Sequence, residues 1–399
     1  MPGPDHGHQP ALRAPSPATS TVAFRQFVLK LHSRCDLACD HCYVYTMADQ
    51  RWRSQPRAMS QRVLDWTAHR IGEHAHTHRL NRVDVVLHGG EPLLAGATRL
   101  EAAVAAIRQA AAPVPVRMTV QTNAVRLDEA FLRLFDRLGV RISVSLDGDR
   151  AAHDRHRRGP DGRGSHTRVE TALRRLTTGF PHLFHGLLCT VDLGNDPITT
   201  YRSLLAHQPP ALDFLLPHGT WSNPPPGRPP DSRPGPYAQW LMAVFDEWYH
   251  TPGQRTRIRF FDEIIQVLLG GTSRLAGVGT SPVAVVVVQT DGTIEMDDTL
   301  AATYPASART GLHVARHSFD AALGLPTVRA QQAGAAGLCA ACRACDRHRV
   351  CGGGLRTHRY RASTGFDNPS VYCADLYRLI GHIHRAVQRD VAALRAGTP

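Results

Sequence analysis

The chain has 399 residues, a formal net charge of +12 and an ordinary hydrophobic content of 42%. That length holds one large domain plus a smaller one, or two to three domains. The positive charge is almost all arginine, with Lys30 the one lysine; no basic block or aromatic-basic alternation suggests a nucleic-acid surface, and no stretch approaches transmembrane length.

Residues 1–20 carry five prolines and no apolar run. They lack the core of a signal peptide and read as a disordered tail. The expected location is cytoplasmic, where disulfides rarely persist. Nine cysteines must then be explained, and eight fall into two groups, one early and one late. Grouping of that kind points to a metal or cluster rather than to cross-links.

In chain order, "FRQFVLKL" (24–31) reads as a strand leading into "RCDLACDHC", followed by a helix over 60–74 and the strand "VDVVLHGG" (83–90). A helix over 96–111 precedes "VRMTVQTN" (116–123), a helix over 128–138 and "RISVSLDG" (141–148). Helix 167–178, strand 185–192, helix 197–207 and strand 212–219 complete the alternation. Near-continuous apolar strands alternating with helices predict a parallel sheet, a partial or full β/α barrel. The proline-rich stretch 221–236 reads as a loop, helices follow at 237–250 and about 260–269, and 281–296 reads as a hairpin turning at Asp291-Gly292. The second cysteine group spans 339–373, and a helix ends the chain over 374–395.

Cys35, Cys39 and Cys42 stand as C-x3-C-x2-C. Structural zinc takes four ligands, whereas three thiolates leave a position open. "GGEP" (Gly89–Pro92), "QTN" (Gln121–Asn123) and "SLDG" (Ser145–Gly148) each follow a predicted strand, so all would share one rim. The later group, Cys339-x2-Cys342-x2-Cys345-x5-Cys351 and then Cys373, suits a zinc ribbon on spacing alone. Cys189 lies inside an apolar strand and reads as a small buried hydrophobe. His74 and His78, four apart on a helix, read as a solvated face, and the adjacent Asp262 and Glu263 as structural or solvated.

The motif "CDLACDHC" resembles the radical S-adenosylmethionine (radical SAM) signature, and the segment around "CGGG" resembles SPASM domains, the C-terminal extensions of many peptide-modifying members. The resemblance implies a partial (β/α)6 TIM-like barrel with a C-terminal SPASM-like iron–sulfur domain. The expected divisions are a tail (1–20), barrel core (21–235), helical bridge (236–280) and auxiliary-cluster domain with its helix (281–399). It implies a SAM-binding [4Fe–4S] cluster on Cys35, Cys39 and Cys42. SAM contacts would fall to Gly89, Gly90, Glu91, Gln121, Asn123, Ser145 and, from the "HDxxR" segment, Arg157. One auxiliary [4Fe–4S] cluster is implied on Cys342, Cys345, Cys351 and Cys373, with Cys339 as replacement or spare.

Longer stretches, among them "TVDLGNDP", "DFLLPHGTWSNPPP" and "RYRASTGFDNPSVYCADL", resemble FxsB-type peptide maturases. These imply a ribosomal precursor peptide as substrate, an electron donor such as flavodoxin or ferredoxin, and a carbon–carbon cross-link (cyclophane) from an aromatic ring to a side-chain β-carbon. Asp297 and Asp298 are the candidate bases. Alternatives are thioether formation or side-chain oxidation by the same chemistry, or, remotely, a zinc-stabilised nucleic-acid-binding protein.

Overall fold

The computed structural model describes residues 21–228 and 235–397. The tail expected over 1–20 and part of the proline-rich loop lie outside that range.

The first half alternates strand and helix: β1 (Gln26–His32), α1 (Gln61–Thr77), β2 (Val83–Gly89), α2 (Ala97–Ala111), β3 (Val116–Thr122), α3 (Glu129–Leu138), β4 (Arg141–Ser145), α4 (Arg150–His156), α5 (His166–Gly179), β5 (Phe184–Thr190), α6 (Pro197–Leu205) and β6 (Ala211–Leu215). Then come α7 (Pro236–His250), the two-residue β7 (Arg257–Ile258), α8 (Arg259–Leu268), β8 (Val285–Val288), β9 (Thr293–Glu295) and β10 (Arg309–His313). Short helices α9 (Phe319–Leu323), α10 (Pro326–Gln332), α11 (Ala340–Arg343) and α12 (His348–Cys351) precede the long α13 (Cys373–Ala396).

β1 to β6 are parallel and adjacent in sequence order, as the apolar-run pattern predicts, and the sheet is an open partial barrel. Local chemistry starts its helices. Ser60, Asp128, Asp149 and Asp196 each accept a hydrogen bond from the main-chain N–H three residues on, a cap worth about 1 kcal/mol. Phe27, Leu29 and Leu31 are fully buried on one face of β1, each contributing roughly 1.5–3 kcal/mol by burial. The intervening Lys30 points to the other face, beside His88 on β2, its partner in register.

The hairpin turns where expected, with Gly292 at φ +92° and its N–H donating to Gln289 O at 2.9 Å. Its placement was not legible in the sequence: β8 pairs parallel with β1, from Gln26 opposite Val285 to Leu29 opposite Val288. β9 and β10 then add antiparallel, giving one ten-stranded sheet in the order β10-β9-β8-β1-β2-β3-β4-β5-β6-β7. Helix α13 packs on α7 and is anchored by a buried ion pair between Asp375 and Arg228. Among the described residues, no helix is long and apolar enough to cross a membrane.

Candidate active site

The loop after β1 and the C-terminal ends of β2 to β6 surround a cleft of about 1000 Å³, its open mouth included. Cys35, Cys39 and Cys42 line it together with Gly89, Gly90, Glu91, Gln121, Asn123, Ser145 and Arg157. All ten residues expected around SAM and its cluster therefore meet in one place, although more than 120 positions separate the first from the last.

Glu91 ties two strand ends together. Its carboxylate accepts from Leu93 N at 3.0 Å, Thr122 Oγ1 at 2.7 Å and Asn123 N at 2.9 Å. Burial nevertheless pushes its pKa up to about 7. A carboxylate offers about four acceptor sites, so one is left for an amino group in the cleft. Gln121 donates to Ser145 Oγ at 3.0 Å across β3 and β4. Gly89 and Gly90 are small for a reason other than ligand approach. A Cβ on Gly90 would stand 1.8 Å from Tyr45 Oη and 2.5 Å from Arg34 O, and one on Gly89 2.3 Å from His32 O. Both glycines let the cysteine loop sit directly on β2.

Arg157 follows α4 and is held by Asp147 of the "SLDG" turn, through Nε at 2.5 Å and Nη2 at 3.1 Å. Despite burial, Asp147 keeps the guanidinium firmly protonated. Asp147 also accepts from Thr190 N at 2.8 Å, which ties β4 to β5. His41, directly before the third cysteine, has its ring edge-on to His156 at 5.5 Å; burial and Arg157 lower its pKa to about 4.

The cysteine sulfurs suit the cationic iron–sulfur core of a cluster. Burial raises the pKa of all three, that of Cys39 to about 11. Metal ligation needs thiolates, and positive charge at the site offsets that cost. Donors already face the sulfurs: Leu37 N at 3.4 Å and Asn123 Nδ2 at 3.5 Å from Cys35 Sγ, and the main chain of Val44 and Tyr45 at Cys42.

Asp297 and Asp298 lie beyond the cleft wall. Asp298 lines an adjoining cavity of about 550 Å³, with Lys30, Arg51 and Glu295; Tyr43, Val44, Gly89 and Gly90 border both spaces. It pairs with Lys30 and accepts from Tyr43 Oη at 2.7 Å. Burial would raise its pKa, but Lys30, His88 and the hydrogen bonds hold it well below the usual carboxylate range. Asp297 instead caps the short turn after β9, accepting from Thr299 N at 3.0 Å, and burial and Asp298 raise its pKa. The sequence reading assigned no role to Lys30, Asp147 or His218. His218 lines the cleft just after β6, Nδ1 buried without a hydrogen-bond partner, with burial lowering its pKa to about 4. Its position at a strand end is the signal that would have found it.

The second cysteine group lies around α11, α12 and the first residue of α13. Its thiols lie close together: burial raises the pKa of Cys342, helped by Cys339, Cys373 and Cys351, and that of Cys373, helped by Cys345. Gly352, Gly353 and Gly354 all have positive φ, between +58° and +75°, and the last two turn their N–H groups to Cys351. Arg359 faces Cys342, Cys351 and Cys339, and its buried Nε has no partner. A thiolate-ligated cluster carries the negative charge that this guanidinium lacks, so the residues fit one.

The sequence pattern of the radical SAM superfamily matches residues 29–190. That match and the sequence relatives indicate a radical SAM enzyme. The match supports a [4Fe–4S] cluster and SAM as its cofactors. The chain is 25% identical to the cysteine-type anaerobic sulfatase-maturating enzyme of Clostridium perfringens strain 13 over 274 residues, 66% of this chain and 70% of that one. Its fold is similar to that of native anSMEcpe with bound AdoMet: TM-score 0.79, 21% identity, 91% of this chain and 98% of that one. It is also similar to Streptococcus suis SuiB bound to precursor peptide SuiA, with TM-score 0.54, 12% identity and 88% and 76% coverage. In sequence the chain is thus related to anaerobic sulfatase-maturating enzymes.

Proposed function

We propose that this enzyme modifies a ribosomally made precursor peptide in a reducing, cytoplasmic setting, joining an aromatic ring to a side-chain β-carbon. The observation that carries the radical chemistry is the convergence of three cysteines with Glu91, Gln121, Asn123, Ser145 and Arg157 on one cleft. The cyclophane outcome is supported by the FxsB-like stretches of sequence, and a peptide substrate by the SuiB likeness.

Cys35, Cys39 and Cys42 hold the cluster in this reading. When bound there, cluster and SAM supply a radical able to take an unactivated β-hydrogen, a bond no ordinary base can open. Glu91 takes the amino group of SAM, Arg157 its carboxylate, and Gln121, Asn123 and Ser145 the remaining polar edges. Gly89 and Gly90 set the distance between cysteine loop and strand. Asp298, in the adjoining cavity that shares Tyr43 with the cleft, receives the ring proton by way of Tyr43, which donates to it, with Lys30 holding its charge, while Asp297 only shapes the turn. Cys342, Cys345, Cys351 and Cys373 hold one auxiliary cluster as acceptor of the ring's electron, with Cys339 spare. Flavodoxin or ferredoxin supplies the starting electron.

The test is anaerobic co-expression with a candidate precursor bearing a C-terminal aromatic motif, followed by tandem mass spectrometry. A cross-link removes two hydrogens and abolishes fragmentation between the joined residues. Relatedness to sulfatase maturases favours one other reading, oxidation of a single side chain. That product keeps full fragmentation, so its appearance would replace the cross-link. An unmodified peptide, with deoxyadenosine still formed from SAM, would refute the substrate assignment alone.

A further inference from the structure

Away from the cleft, two histidines and a carboxylate converge where α1 meets α9. His74 lies in the last turn of α1 and His78 caps its C-terminal end, and both reach α9. His74 Nδ1 lies 2.6 Å, and His78 Nε2 2.7 Å, from the same oxygen, Oδ1 of Asp320. His74 is 1% exposed and packs against the rings of Phe24, Phe27 and Phe319. His78 and Asp320 are 31% and 37% exposed, which leaves one side of the cluster open to water.

His74 has a proton to place and no satisfying choice. Its imidazole, when neutral, carries one N–H. Its Nε2 is buried with no hydrogen-bond partner in good geometry, although the Phe24 main chain lies close enough to favour a proton there. With the hydrogen on Nδ1, Nε2 is an unpaired buried lone pair. With the hydrogen on Nε2, Nδ1 turns a lone pair towards a carboxylate oxygen. A divalent cation between Nδ1 and Oδ1 resolves both, since ligating histidines commonly keep their other N–H directed at a carbonyl.

We infer that His74, His78 and Asp320 bind a zinc ion that clamps α9, and with it the C-terminal hairpin, to the first helix of the barrel. Two imidazoles and one carboxylate suit zinc, with water as fourth ligand on the open side. Bonds of about 2.0–2.1 Å in tetrahedral geometry separate ligand atoms by roughly 3.3 Å. The contacts at 2.6 and 2.7 Å need to widen by well under 1 Å, within reach of the two half-exposed side chains. The site stands at the end of α1 that leads into the N-terminal end of β2, on the rim opposite the cleft. It depends on neither cluster.

The experiment uses holoenzyme with its iron–sulfur clusters loaded, so that the cysteines are occupied. After dialysis against a weak chelator, the protein is equilibrated with zinc sulfate and analysed for zinc, iron and sulfide. The expected result is one zinc per chain, with a nitrogen and oxygen shell at about 2.0–2.1 Å and no sulfur shell near 2.3 Å in X-ray absorption. Zinc should also raise the melting temperature. His78→Ala and Asp320→Asn should lose both the zinc and that rise while keeping their iron and sulfide. The inference is overturned if the wild type takes up no zinc, if sulfur surrounds the zinc, or if both variants retain it.

Discussion

Replacing Lys30 with methionine leaves Asp298 without its cation. Lys30 is 5% and Asp298 17% exposed, and removing one partner of such a pair costs about 3–5 kcal/mol. A ceiling applies, because the stranded carboxylate can take a proton instead. Protonation costs about 1.36 kcal/mol for each pH unit above the ordinary aspartate value near 3.9. The ceiling is therefore about 3 kcal/mol at pH 6 and above 5 kcal/mol at pH 8. In the wild type, the depressed pKa makes Asp298 stabilising above that ordinary value, and this is lost only as pH falls towards its folded value. Wild-type stability from this group is thus flat between pH 6 and 8. In Lys30→Met the folded pKa is raised instead, so stability declines as pH rises. Anaerobic melts of holoenzyme at the two pH values should show a deficit at pH 6 that grows at pH 8. The double variant Lys30→Met with Asp298→Leu should recover most of it. A variant that melts with the wild type at both pH values, or a gap that narrows as pH rises, would refute the buried-pair reasoning.

Three further outcomes follow from the same contacts. Gly90→Ala places a Cβ against Tyr45 Oη and Arg34 O, an overpacking cost of about 1–3 kcal/mol. Its iron content after anaerobic reconstitution should fall towards that of the Cys35, Cys39 and Cys42 to Ala triple variant. Asp147→Asn frees the Arg157 guanidinium it now orients; losing a charge-assisted contact worth about 1.5–3 kcal/mol should weaken SAM binding by roughly tenfold or more, measured by equilibrium dialysis. Arg359→Met removes the cation facing the second cysteine group and should move the auxiliary cluster's reduction potential to more negative values in a redox titration.

The parallel core was legible because each strand from β1 to β5 is an apolar run closed by a motif, and the motif carries the chemistry. "GGEP", "QTN" and "SLDG" sit at strand ends, so their meeting in one cleft follows from topology. Contacts between distant segments were harder to foresee. "VVVV" at β8 announces a buried strand but not its neighbour, because any parallel edge would accept it. Helix α4 is only seven residues long, too short for helical periodicity to register. The pairing of Lys30 with Asp298, 268 positions apart, has no local signature. The histidines on α1 read as a solvated face because the carboxylate they reach lies 242 and 246 positions away.

The pairing of β8 with β1 also bears on synthesis. β1 leaves the ribosome long before its partner, since 259 positions separate Gln26 from Val285. At about 5–20 residues per second, that edge waits roughly 13–50 s for its neighbour. An unpaired apolar strand is a template for the wrong chain, and a charge in its middle is a common safeguard. The chain's one lysine stands there, at position 30. The residue that steadies Asp298 in the finished enzyme thus also sets a charge within the strand that waits. Fragments released before residue 285 should stay dispersed longer with Lys30 than with methionine in its place, as measured by light scattering.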